Sequence, residues 1–167
     1  MGRLAGVQVG VTRLDFYVPG HPQPAGSKRG FPVKRRDGST GVAVVEDNPK
    51  ARDWKAAVAQ AGVDAMVDAL RIDPDQEVIL LDGPIGLTLV FTLARPRGHF
   101  GTGRNHQSLR AGAPVWPAKR PDTTKLIRAV EDALTGIVWR DDAQVVEQYA
   151  AKRYGAPEGV RVTLWTL

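Results

Sequence analysis

The sequence predicts an α+β fold: a mixed sheet of about four or five strands with two main helices on one face. Two segments carry apolar residues at the spacing of a helix packed on one side. Several others alternate apolar with polar, or run apolar with β-branched content over five to ten residues, as strands do. With 167 residues, 43% hydrophobic and 25% charged, the chain fits one well-formed domain over 1–167 and is too short for two.

Residues 1–13 are Gly-rich and irregular, an extended lead-in. Leu14 to Val18 alternates and reads as a strand, halted by the prolines of Pro19-Gly20-His21-Pro22-Gln23-Pro24, which supply no ladder amides. Val33 to Ser39 and Val42 to Val45 read as the arms of a hairpin turning at Asp37-Gly38. Lys28, Arg29, Lys34, Arg35 and Arg36 load its near arm and loop with positive charge. Asn48-Pro49 is an N-cap followed by proline at the first helical position, and Trp54, Val58, Ala61, Ala65, Met66, Ala69 and Leu70 keep helical spacing behind it. Asp73-Pro74-Asp75 ends that helix, and Asp82-Gly83-Pro84 marks a turn before a central strand, Ile85 to Leu93.

Residues 95–119 lack periodicity and are rich in Gly, Pro and Arg. A loop of this length in a compact domain is functional or disordered, and its basic content, with Arg104, Arg110, Lys119 and then Arg120, fits a DNA-contacting loop that orders on binding. From Thr124 to Thr135 the stripe Leu126, Ile127, Val130, Ala133, Leu134 predicts the second helix, with Asp122 or Thr123 as N-cap and Gly136 as stop. Gln144 to Arg153 alternates as a strand. A Gly- and Pro-containing turn then leads to a last strand, Val160 to Leu167.

The second helix is flanked by carboxylates, Asp122 before it and Asp141-Asp142 after it. Twelve helical residues span roughly 18 Å at about 1.5 Å each, and six extended residues from Ile137 to Asp142 span roughly 20 Å. An extended return would therefore bring Asp141 or Asp142 beside Asp122. Paired carboxylates suit a hard cation such as Mg²⁺, which takes one or two protein carboxylates alongside phosphate oxygens. The plainer reading makes Asp122 a cap and Asp141-Asp142 a solvated turn.

There are no cysteines and three scattered histidines, so any metal must be held by oxygen. Neither an apolar run long enough to span a membrane nor a secretory leader is visible, so a cytoplasmic location without membrane association is expected. Nor does any P-loop point to a nucleotide cofactor. The net charge of +5 is unevenly spread: residues 95–128 carry 8 basic and 1 acidic side chains, and residues 1–45 carry 7 and 2. Two cationic blocks around a carboxylate cluster would gather a polyanion that the carboxylates alone repel. The alternative is a basic protein whose charge serves solubility.

The stretch Pro121-Asp122-Thr123-Thr124-Lys125-Leu126, then Asp132-Ala133-Leu134, then Asp141-Asp142-Ala143-Gln144-Val145, resembles the RusA family of Holliday-junction resolvases, whose pattern is Pro-Asp-x-Asp-[Asn/Lys]-Leu, Asp-Ala-Leu and Asp-Asp-x-Gln-Val. Pro22 to Lys28 likewise resembles that family's Pro-x-Pro-x-Gly-x-basic loop. The resemblance implies a Mg²⁺-dependent endonuclease, with Mn²⁺ as a substitute, acting as a homodimer of phage type on branched DNA. It implies that Asp122 and Asp142 bind the metal, with Asp141 assisting and Arg128 or Lys125 stabilising developing charge. One position departs from the pattern: Thr124 stands where the family has its second Asp. A non-catalytic branched-DNA-binding relative and a basic structural protein of a phage particle are the other readings.

Overall fold

The computed structural model describes residues 13–26, 28–46, 48–70 and 80–167. Apart from Arg13, the expected lead-in lies outside them, as does the turn at Asp73-Pro74-Asp75. The strands are β1 (Arg13–Pro19), β2 (Lys28–Lys34), β3 (Thr40–Glu46), β4 (Ile85–Leu93), β5 (Val145–Tyr154) and β6 (Gly159–Thr166); the helices are α1 (Pro49–Leu70) and α2 (Thr123–Leu134). Four strands form one mixed sheet in the order β1-β6-β4-β5, and β2-β3 form a separate two-stranded hairpin. The α+β class expected from the sequence is the fold observed.

Alternation sets the faces. Leu87, Leu89, Phe91 and Leu93 of β4 are buried, as are Val160, Val162 and Leu164 of β6 and Leu14 and Val18 of β1. Against that face α1 lays Trp54, Val58 and Met66, and α2 lays Leu126, Ala129, Val130, Ala133 and Leu134. Gly62 lets the helices approach: a Cβ there would stand 2.7 Å from Leu134 Cδ2. The opposite sheet face keeps polar groups, among them Asp15, which accepts from Thr163 Oγ1 at 2.7 Å and from Arg161 Nη1 at 2.6 Å. Those donors, Thr163 first, hold the Asp15 carboxyl below its ordinary range despite partial burial.

Two pairings are antiparallel, but β4 and β5 run parallel, so α2 is the crossover helix between them. A crossover helix travels back along the strands it joins. The groups just before α2 therefore lie by the carboxyl end of β5, where Lys152 Nζ donates to the carbonyls of Lys119 and Pro121 at 2.8 and 2.7 Å. The groups just after α2 lie where β5 begins.

Residues 95–119 depart from the expectation of a loop that orders only on binding. They are already built: short 3-10 turns cover Arg97–His99 and Gly103–Asn105, and Phe100 bridges Leu109 antiparallel. Arg95 donates to Pro114 O at 2.7 Å and stacks 4.5 Å over the Tyr154 ring, which His99 meets edge-on. Internal carbonyl acceptors and one aromatic ring supply the order that composition did not reveal.

Candidate active site

Asp122 is the N-cap of α2 by position, yet its side chain makes no capping hydrogen bond. The capping role read from the sequence is thus not the one its carboxylate performs. It lines an open cleft of ≈ 520 Å³ together with Pro24, Asn48, Arg120 and Lys125. The Pro-rich loop after β1 is fixed here by Ala25 N donating to Lys125 O at 2.8 Å and by Asn48 Nδ2 donating to Pro24 O at 3.0 Å. Anionic oxygens entering this cleft would meet the exposed amides and partial positive charge of a helix N-terminus.

The second acidic centre is at the other end of α2. Asp142 Oδ1 accepts from the Thr135 hydroxyl and, at 3.2 Å, from Trp139 Nε1, which also donates to Thr135 Oγ1 at 3.1 Å. This overturns the expectation that the chain returns to the helix start. Residues 137–142 do not extend. Gly136, at φ +78°, donates to Trp139 O at 2.6 Å, and the amides of Ile137 and Val138 both bond back to Leu134 O. Burying Trp139 completely against the core rewards this coil and holds Asp142 by Thr135. From Thr124 to Thr135 the helix rises about 16 Å, which keeps the two centres apart.

Asp141 is otherwise engaged. It caps a short 3-10 turn by accepting from Ala143 N at 2.8 Å, while Gln144 Oε1 accepts from the amides of Arg140 and Asp141 and Gln144 Nε2 donates to the carbonyls of Leu81 and Gly83. The Gln of the Asp-Asp-x-Gln segment therefore ties this turn to the one that precedes β4.

Sequence reasoning missed Glu131. Half-buried one turn before Thr135, it accepts from Gln148 Nε2 of β5. Its carboxyl lies above the ordinary range because of burial first, then the neighbouring Asp142 and Asp132 charges. The signal was available: Thr124, Arg128, Glu131 and Thr135 follow i, i+4, i+7, i+11 and share the face opposite the buried stripe. Arg128 and Thr124 are exposed on it.

The basic candidates are spread widely. Lys34, Arg35 and Arg36 sit exposed at the tip of the β2-β3 hairpin, whose arms also expose Phe31, Val33 and Val42. Lys28 and Arg29 belong to β2, their side chains lying outside the described residues. Arg104 and Arg110 are exposed on the built loop, where Arg110 Nε donates to Phe100 O at 2.6 Å; Arg120 and Lys125 line the Asp122 cleft, and Lys119 is exposed just before them in the chain.

The oxygen donors suit a hard cation by chemistry, but within one chain they do not converge. Among the described residues no group of three or more Asp, Glu, His or Cys side chains gathers as a metal would need.

A family model described as endodeoxyribonuclease RusA matches residues 19–165. The uncharacterized protein YqaN of Bacillus subtilis strain 168 is 23% identical over 151 residues, covering 90% of this chain and 94% of the relative.

Proposed function

Because the chain belongs to the RusA endodeoxyribonuclease family, we propose that it is a structure-specific nuclease that resolves branched DNA, with the four-way Holliday junction as substrate. The family match over residues 19–165 carries this reading. Asp122 supports it, as a helix-terminal carboxylate without a capping bond, set in a cleft with Arg120 and Lys125. Mg²⁺, replaceable by Mn²⁺, is the metal this reading calls for; Asp122 and Asp142 would each offer it a carboxylate, from opposite ends of α2 rather than from one converged set. When bound, it would supply charge neutralisation at the scissile phosphate.

The chain's own residues position the substrate. The hairpin tip and the loop over 95–119 hold phosphates along two arms, and Arg120 and Lys125 draw one phosphate into the cleft. Arg128, or Lys125 one turn earlier, stabilises the charge that develops as the phosphodiester opens. A second reading, a relative that binds junctions without cutting them, is favoured by Thr124, a neutral side chain where the family carries a carboxylate.

Incubating the protein with an end-labelled synthetic four-way junction tests the reading. Paired nicks with Mg²⁺ or Mn²⁺ and none with EDTA are expected. A junction that is bound but left intact with either metal establishes the second reading. No binding at all removes both.

A further inference from the structure

Tryptophan has a large apolar body that a fold gains by burying. Trp54 and Trp139 are buried and Trp165 is partly covered, but Trp116, in the loop before α2, is 61% exposed beside Val115 at 70%. Among the described residues its ring meets no other ring and lies under no cation, whereas the two ring contacts of the same loop both fall on Tyr154. We propose that Trp116 is the residue by which this chain reads a branch point: its indole stacks on the face of a base that has lost a stacking neighbour there. The inference rests on the branched-DNA reading, though not on cleavage.

The ring is mounted rather than loose. Before it, Arg95 Nη1 donates to Pro114 O at 2.7 Å while the guanidinium lies 4.5 Å over Tyr154. After it, Pro117 is buried, Ala118 N donates to Trp116 O at 2.9 Å, and Lys152 Nζ holds the carbonyls of Lys119 and Pro121. A contact group fixed in advance loses little freedom on binding.

The surroundings select nucleic acid as the occupant. Residues 95–121 carry six basic and no acidic side chains, so what reaches Trp116 first meets a field that gathers phosphates. In an unbroken duplex both faces of every base are already stacked, and an indole finds no free face there. At a branch point the continuous stack is interrupted, and aromatic stacking accepts any base. Six residues separate Trp116 from Asp122, which keeps their Cα atoms within roughly 20 Å. A base on the indole therefore lies within about six nucleotides of a phosphate in the Asp122 cleft, at about 3.4 Å per step.

Fluorescence anisotropy in EDTA, where no strand is cut, tests the stacking. Trp116→Ala should weaken binding to a four-way junction by about tenfold and leave a linear duplex of equal length unaffected. The salt slope should stay the same, because no charge is lost. Trp116→Phe, which keeps an aromatic face, should lose less. Junctions with one abasic site at successive nucleotides from the branch then identify the base: at one position the wild type should lose the same factor, and Trp116→Ala should lose nothing more.

Equal weakening of junction and duplex, or a loss in Trp116→Ala that no abasic position abolishes, overturns the stacking. A change of oligomeric state in Trp116→Ala without that coupling does so as well, and assigns the ring to a second copy of the chain. A wild type that cuts junctions while Trp116→Ala binds them as tightly keeps the nuclease reading and removes the stacking. Coupling in a protein that leaves the junction intact with Mg²⁺ or Mn²⁺ keeps the stacking and removes the nuclease. A wild type that binds no junction removes both.

Discussion

Position 124 bears directly on whether the site is competent, because a threonine hydroxyl is a neutral, weak ligand where the family has a carboxylate. Thr124 is exposed in the first turn of α2, so an aspartate there meets no packing obstacle and is favoured by the helix dipole. An added negative charge within about 4 Å of a divalent ion is worth on the order of 1–2 kcal/mol even when solvated. Thr124→Asp should therefore lower the Mg²⁺ concentration for half-maximal cutting by about tenfold, read from initial rates on a four-way junction. An inert wild type beside an active variant would mean that the natural site has lost catalysis. Identical metal dependence would place position 124 outside the metal's reach.

At the scale of elements, the junction of α1, α2 and the coil after α2 holds Asp142 in place. Gly62 costs α1 about 1 kcal/mol relative to alanine in helix propensity. An alanine Cβ there, however, would stand 2.7 Å from Leu134 Cδ2 and 3.3 Å from Val138 Cγ2, both on fully buried residues with little room to withdraw. Overpacking of this sort costs about 1–3 kcal/mol, so Gly62→Ala should destabilise the protein by about 1 kcal/mol. Urea unfolding should show it as a lowered midpoint at unchanged slope; a raised midpoint would mean that the helices part at no cost.

The same elements show what the sequence could convey. The α1 and α2 stripes, the Asp37-Gly38 turn and the apolar run of β4 follow from local period and turn chemistry, and their bounds agree within a residue or two. The separation of Asp122 from Asp142 was not legible, because it depends on β4 pairing parallel with β5 and on Trp139 taking the chain into the core. Both are long-range facts that no window of residues contains. Glu131 was overlooked for a simpler reason: between residues of opposite charge on a helix it resembles ordinary surface pairing.

Across the whole molecule, positive charge is concentrated on two separate projections, the hairpin tip at Lys34, Arg35 and Arg36 and the built loop before α2, where residues 95–121 carry six basic and no acidic side chains. A linear duplex passing over one projection meets only part of that charge, whereas arms diverging from a branch point can lie along both. A four-way junction should therefore displace a linear duplex of equal length, and its affinity should fall steeply with salt, since each phosphate neutralised adds about 0.9 to the slope of log K against log salt. Replacing Lys34, Arg35 and Arg36 together with glutamine should reduce that slope by up to about three for the junction. It should also bring junction and duplex affinities closer together, because only the branched substrate uses both projections at once. Fluorescence anisotropy over a salt series measures both quantities. A triple variant that weakens both DNAs by the same factor would show that the hairpin contributes charge without reading shape, and the discrimination of branch points would then have to reside in the loop before α2.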